Sequence, residues 1–161
     1  MKKKSKRFPI IFSLIVIVVA VVAATILIAN TPFMRVKNDA LSVIKKKTDL
    51  RDFSKYYWYN HDASYFSALG KNNKDQEQYA IVNTSNGEIL IVDRKDGISE
   101  DEAKKIVLRS SDKVKEIQNT RLGIYRKNVV WEVSFFDNRH QLNYYTLSFK
   151  NGKVLQKVLD V

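Results

Sequence analysis

The chain has 161 residues, of which 28 are basic and 17 acidic, with two histidines and no cysteine. The absence of cysteine excludes a disulfide-stapled scaffold, thiol catalysis and thiolate metal sites. Five of the basic residues lie in the first seven positions, so the rest keeps 23 basic against 17 acidic, a moderate +6 out of the overall +11.

Lys2, Lys3, Lys4, Lys6 and Arg7 precede an uncharged run from Phe8 to Met34. Its most apolar part, Ile10 to Ala29, is long enough as a helix, at about 1.5 Å per residue, to span the roughly 30 Å of a bilayer core. Ala20, Ala23 and Ala24 lie inside the apolar run rather than in a polar segment after it, which favours an uncleaved anchor over a signal peptide. The basic cluster ahead of the span predicts a cytoplasmic N-terminus and an exported body. The expected layout is a basic tail (1–7), a transmembrane anchor (8–34) and two modules (35–96 and 97–161). The basic excess is scattered and the chain reads as exported, so nucleic acid is not an expected partner.

The two modules come from an internal repeat. Shifted by 65 positions, Asn73, Gln76, Tyr79, Asn86, Gly87 and Leu90 fall on Asn138, Gln141, Tyr144, Asn151, Gly152 and Leu155. Phe66 lands on Trp131 and Val82 on Leu147. The first unit reads as a helix near Asn38–Lys47, then strands near Tyr56–Tyr59, Ser64–Leu69, Gln78–Asn83 and Glu88–Val92. Asp93 to Gly97 link it to the second.

There, Ser99 and Glu102 form an S-x-x-E capping box, and Ala103, Ile106 and Val107 make an apolar stripe at helical spacing. Strands follow at Val114–Tyr125, in "VVWEVSFFD", in "YYTLSFK" with Tyr145, Leu147 and Phe149 inward, and in "KVLQKVL". Asn151-Gly152 predicts a two-residue type I′ turn, both of whose central residues need positive φ. The fold class is α+β: each unit is one helix on an antiparallel meander. The repeated heptads "NKDQEQY" and "NRHQLNY" are read as hairpin loops.

No motif for a nucleophile, phosphate loop or metal site occurs. His61 and His140 do not correspond under the repeat and read as turn residues. No enzyme activity and no cofactor are expected. The local anomaly is "DFSKYYWYNHDASYF", with seven aromatic residues between Phe53 and Phe66. On a strand Tyr57 and Tyr59 face one way and Tyr56 and Trp58 the other. A one-sided sheet buries a single set, and the other is covered by the second module or offered to a partner. Tyr57, Trp58 and Tyr59 are the candidate partner surface.

The full layout, and above all "DGISEDEA" and "WEVSFFD…NGKVL", resembles the TseB-like (YpmB-type) membrane proteins of Gram-positive bacteria. A looser PepSY-type pattern runs through the same segments. The resemblance implies two cystatin-like modules outside a single-pass membrane anchor, no catalysis, and regulation of cell-wall elongation. It also implies association with a class B penicillin-binding protein. Two alternatives stay open. One is a module for anionic wall polymer or peptidoglycan, using Lys45 to Lys47 and Arg51; the other is a PepSY-type inhibitor or sensor of a membrane protease.

Overall fold

The computed structural model describes residues 7–110 and 113–160. The basic tail expected at residues 1–7 falls, apart from Arg7, outside the described residues. By compactness the chain divides into residues 1–35 and 36–161.

A single helix, α1 (Arg7–Lys47), carries the apolar run and continues past it, although the sequence suggested a separate helix from Asn38. Pro32 lies inside it. The ring removes one N–H donor, yet Arg35 to Lys47 stay helical on the packing of Ala40 and Ile44, which are 4% and 0% exposed. Within residues 1–35, Phe12, Leu14 to Val19, Val21 and Val22 are all exposed. Among the described residues no helix is long and apolar enough to cross a membrane. Part of the expected anchor, the side chains of residues 8–11, 13, 23, 24 and 26–30, lies outside those described.

Residues 36–161 hold two four-stranded antiparallel meanders. The first contains β1 (Arg51–Asn60), β2 (Ser64–Lys71), β3 (Glu77–Asn83) and β4 (Ile89–Asp93). A single 3₁₀ turn, Arg94–Asp96, leads to α2 (Glu100–Ser110). The second sheet contains β5 (Val114–Tyr125), β6 (Asn128–Asp137), β7 (Leu142–Ser148) and β8 (Val154–Val158). The capping box closes α2 as the spelling requires. The Ser99 backbone N–H donates to Glu102 Oε2 at 2.7 Å and the Glu102 N–H to Ser99 Oγ at 3.2 Å.

Strand register assigns the faces. Phe66, Ala68, Ala80 and Val82 share one side of the first sheet and are at most 2% exposed. Val36, Ala40 and Val43 of α1 line a small pocket there with Val82. The opposite side presents Tyr57, Leu69, Tyr79 and Ile81 to a core shared with Ala103 and Val107 of α2 and with Trp131, Val133 and Leu147 of the second sheet. One core thus serves both meanders, and residues 36–161 are one compact unit.

The repeat is visible in hydrogen bonds. The Asn72 N–H donates to Gln76 O at 3.0 Å, and the Asp137 N–H to Gln141 O at 3.0 Å. Asn72 Oδ1 accepts from the N–H groups of Lys74 and Gln76, and Asp137 Oδ1 from those of Arg139 and Gln141. Asp75 and His140 each take the left-handed position, at φ 58° and 63°. Both heptads are the same five-residue turn, organised by the residue just before each heptad.

The expected type I′ turn at Asn151-Gly152 is not there. Only Gly152 has positive φ, at 71°, as does its counterpart Gly87 at 70°. The loop is longer than two residues: the Ser148 N–H donates to Lys153 O at 2.8 Å, mirroring Asn83 N–H to Glu88 O at 2.9 Å. The two-residue turn with both residues left-handed is Arg126-Lys127, at φ 46° and 66°, between paired Tyr125 and Asn128.

Candidate interaction surface

The aromatic strand β1 lies across β5, an edge strand of the second sheet. Tyr57 packs edge-on against Trp131 with ring centroids 5.2 Å apart. Two residues on, Tyr59 lies against Gly123 and clusters with Tyr125 and Val130. Gly123 pairs with Val130, and Leu122 with Trp131. Successive residues of a strand point to opposite faces, so Tyr57 sits on one face of the second sheet and Tyr59 on the other. β1 straddles the edge. Ser67 of β2 ties the crossing down, its hydroxyl donating to Leu122 O at 2.8 Å.

Gly123 is required by this approach: a Cβ there would stand 2.2 Å from Tyr59 Cγ. Burial pushes the Tyr59 hydroxyl above the usual phenol range, and its oxygen has no hydrogen-bond partner. Beside it, Glu132 is 5% exposed, with Arg121 Nη1 donating to it at 3.3 Å. Burial raises the Glu132 carboxyl against the lowering effect of Arg121.

On the Tyr57 side the contact is polar at its rim. Glu100, the first residue of α2, accepts from Tyr57 Oη at 2.9 Å, Lys55 Nζ at 2.9 Å and Lys104 Nζ at 2.6 Å. Burial alone would raise this carboxyl. The hydrogen bonds from Lys104, Lys55 and Tyr57 outweigh it and hold the pKa down to about 2. Burial pushes the Tyr57 hydroxyl far up, so it stays a donor. Glu100 therefore joins the first sheet to the helix of the second unit. Nearby, Trp131 Nε1 donates to Ile98 O at 2.9 Å, and the Ile98 N–H to Phe149 O at 2.7 Å.

The three residues named as the candidate partner surface are placed unequally. Tyr57 and Tyr59 are 7% and 0% exposed and cover the second sheet, so neither is offered outward. Trp58 alone of the three stays half-exposed, with its Nε1–H donating to Ser64 Oγ at 2.9 Å. Tyr56, on the same face, has Lys37 Nζ 3.7 Å above its ring. Of the basic residues suggested for anionic polymer, Lys47 donates to Gly87 O at 3.0 Å and Arg51 to Asp75 at 2.9 Å. Both are engaged within the unit. His61 stacks on Tyr59 and bonds Asp62 at 3.0 Å, while His140 holds its turn beside Lys115.

A tandem α+β body with one shared core is the class of protein the fold defines. Residues 39–83 match the model of the cell wall elongation regulator TseB-like domain. The chain is 29% identical over 162 residues to the probable cell wall elongation regulator TseB of Bacillus subtilis (strain 168), across 98% of this chain and 99% of that one. The solved structure of the YpmB protein from Bacillus subtilis superposes with a TM-score of 0.67 at 27% identity, covering 76% of this chain and 95% of that one. The family model, the relative and the solved structure all support a TseB-like, YpmB-type family.

Proposed function

We propose that this chain is a non-enzymatic, membrane-tethered regulator of cell wall elongation whose body outside the membrane binds a class B penicillin-binding protein. The observation that carries the regulatory role is the likeness to a probable cell wall elongation regulator along 98% of the chain. The anchor draws support from α1, where Leu14 to Val19, Val21 and Val22 are exposed all round the helix. A helix apolar on every face is suited to lipid. On this reading residues 8–34 span the membrane once, the N-terminus is cytoplasmic, and the two meanders are the cystatin-like modules.

The tether gives a modest interface its effect. Two proteins confined to one membrane meet at high effective concentration, so a weak contact suffices. Trp58 and the repeat-related leucines Leu90 and Leu155, each 41% exposed, are the outward apolar positions from which a partner is best sought.

The test is photo-crosslinking in living cells from residues 58, 90 and 155, followed by fluorescent penicillin labelling. A labelled penicillin-binding protein shifted upward by the mass of this chain from at least one position supports the proposal. No shifted labelled band from any of the three, with the chain at its normal level, defeats it.

A further inference from the structure

Several cations of the folded unit are held in ion pairs. Lys55 and Lys104 bind Glu100, Arg94 binds Glu77, Arg121 binds Glu132, and Arg139 binds Asp137 and Asp160. Three that make no ion pair among the described residues come together: Lys127, Lys150 and Lys153 are exposed and line one open cleft of about 890 Å³. Lys127 comes from the β5–β6 turn, and Lys150 and Lys153 flank Asn151-Gly152 between β7 and β8. Antiparallel connectivity puts these two turns at the same end of the second sheet.

Both turns are held in place by their own hydrogen bonds. The Gly152 N–H donates to Ser148 O at 2.9 Å and the Lys153 N–H to Asn151 Oδ1 at 3.1 Å. Lys127 is fixed in the left-handed conformation, which costs a residue with a Cβ about 1–2 kcal/mol. Asn-Gly would fit that turn without strain. Between the lysines the cleft presents Val129, Phe149 and Leu155.

The opposite wall is the end of β4 and the 3₁₀ turn. Asp93 there is occupied by Gln78 at 2.6 Å and Lys95 at 3.9 Å, which leaves Asp96 as its free negative charge.

We propose that this cleft binds a linear polyanion of phosphodiester type, with Lys127, Lys150 and Lys153 meeting successive phosphates and the apolar floor meeting the carbon chain between them. Three separated cations around an open cleft suit a repeating charge better than one compact anion. A membrane head group is the other source of phosphate, and the nanodisc arms of the test below separate the two. This assignment does not depend on the penicillin-binding protein proposal.

The test uses the full-length chain in phosphatidylcholine nanodiscs, titrated with poly(glycerol phosphate) at several salt concentrations. Binding should weaken with added salt. Lys127→Gln/Lys150→Gln/Lys153→Gln should weaken it about tenfold, three exposed ion pairs acting together. The control Lys45→Gln/Lys46→Gln/Lys115→Gln removes the same charge from residues that do not line the cleft and should change it less than about twofold. Asp96→Asn should tighten binding.

Equal losses in the two triple variants would reduce the effect to net charge and overturn the proposal, as would no binding by the unaltered chain. Competition by monomeric glycerol phosphate at equal phosphate concentration would make the cleft a single-anion site and overturn the polymer assignment. In phosphatidylglycerol nanodiscs, polymer binding should persist; its loss, with Lys127 shielded from amine labelling, would assign the lysines to lipid instead.

Discussion

The Tyr57 hydroxyl on β1 donates to the Glu100 carboxylate at the start of α2, at 2.9 Å, so a residue from each half of the repeat completes the other's hydrogen bonding. Glu100 is also the acceptor for Lys55 and Lys104, and its side chain is only 17% exposed. Glu100→Gln should therefore cost about 2 kcal/mol, the usual range for losing charge-assisted hydrogen bonds at a largely buried site. Urea unfolding at neutral pH measures it.

The same carboxylate sets an acid limit. Its folded pKa is held down to about 2, below the ordinary value of 4.5. A depressed pKa contributes stability that is fully present above the unfolded value and is lost as pH falls through the folded one. The unaltered chain should thus lose stability relative to Glu100→Gln between pH 4.5 and 2, and the two unfolding curves should converge across that window. Parallel loss in both proteins would assign the acid sensitivity to other groups.

Gly123 and Tyr59 should behave as a coupled pair. Gly123→Ala forces a methyl into the Tyr59 ring and should cost about 2–3 kcal/mol. Tyr59→Phe removes a buried hydroxyl that has no partner, so it should be neutral or slightly stabilising. Adding Tyr59→Leu to Gly123→Ala should recover part of the loss. Thermal unfolding of the unaltered chain, Gly123→Ala, Tyr59→Leu and the double variant gives the coupling directly.

The aromatic strand divides by burial. Tyr57→Ala and Tyr59→Ala should each cost about 3–5 kcal/mol, as for large aromatic residues in a core. Trp58→Ala should leave the cooperative unfolding transition in place, because Trp58 is half-exposed. Circular dichroism melts distinguish them, and only Trp58→Ala is then suitable for partner-capture experiments.

Asp137 and Asn72 hold matching turns, one as a carboxylate and the other as an amide. Since Asn72 bonds both N–H groups of its turn through Oδ1, Asp137→Asn should preserve the loop while weakening the Arg139 contact. Asp137→Ala should destabilise more than Asp137→Asn. Denaturant midpoints of the two variants check the ranking.

Much of this architecture was legible in local sequence. The capping box at Ser99 and Glu102 and the period-two alternation of β6 each depend on near neighbours, and the 65-residue offset on comparing the chain with itself. The split of Tyr57 and Tyr59 from Tyr56 and Trp58 also followed from alternation. What lay beyond reach was which surface each set meets. That depends on β1 crossing β5, a contact between residues some sixty positions apart, and on Gly123 being small where Tyr59 arrives. Nor did Glu100 stand out: at the start of a helix an acidic residue has an ordinary role beside the macrodipole, and its bonds to Lys55 and Tyr57 exist only in the folded unit. Asn151-Gly152 misled for a related reason. The dipeptide favours a two-residue turn, but the strand pairing closes at Ser148 and Lys153, and the left-handed pair forms at Arg126-Lys127.

The straddling of β5 by Tyr57 and Tyr59 has an evolutionary consequence. Once each copy of a duplicated segment shields the other from water, the copies lose the freedom to be separated, shuffled or deleted one at a time. A protein cut between Asp93 and Gly97 would yield two halves that each expose half of a common interior. The duplicated stretch is now a single heritable unit.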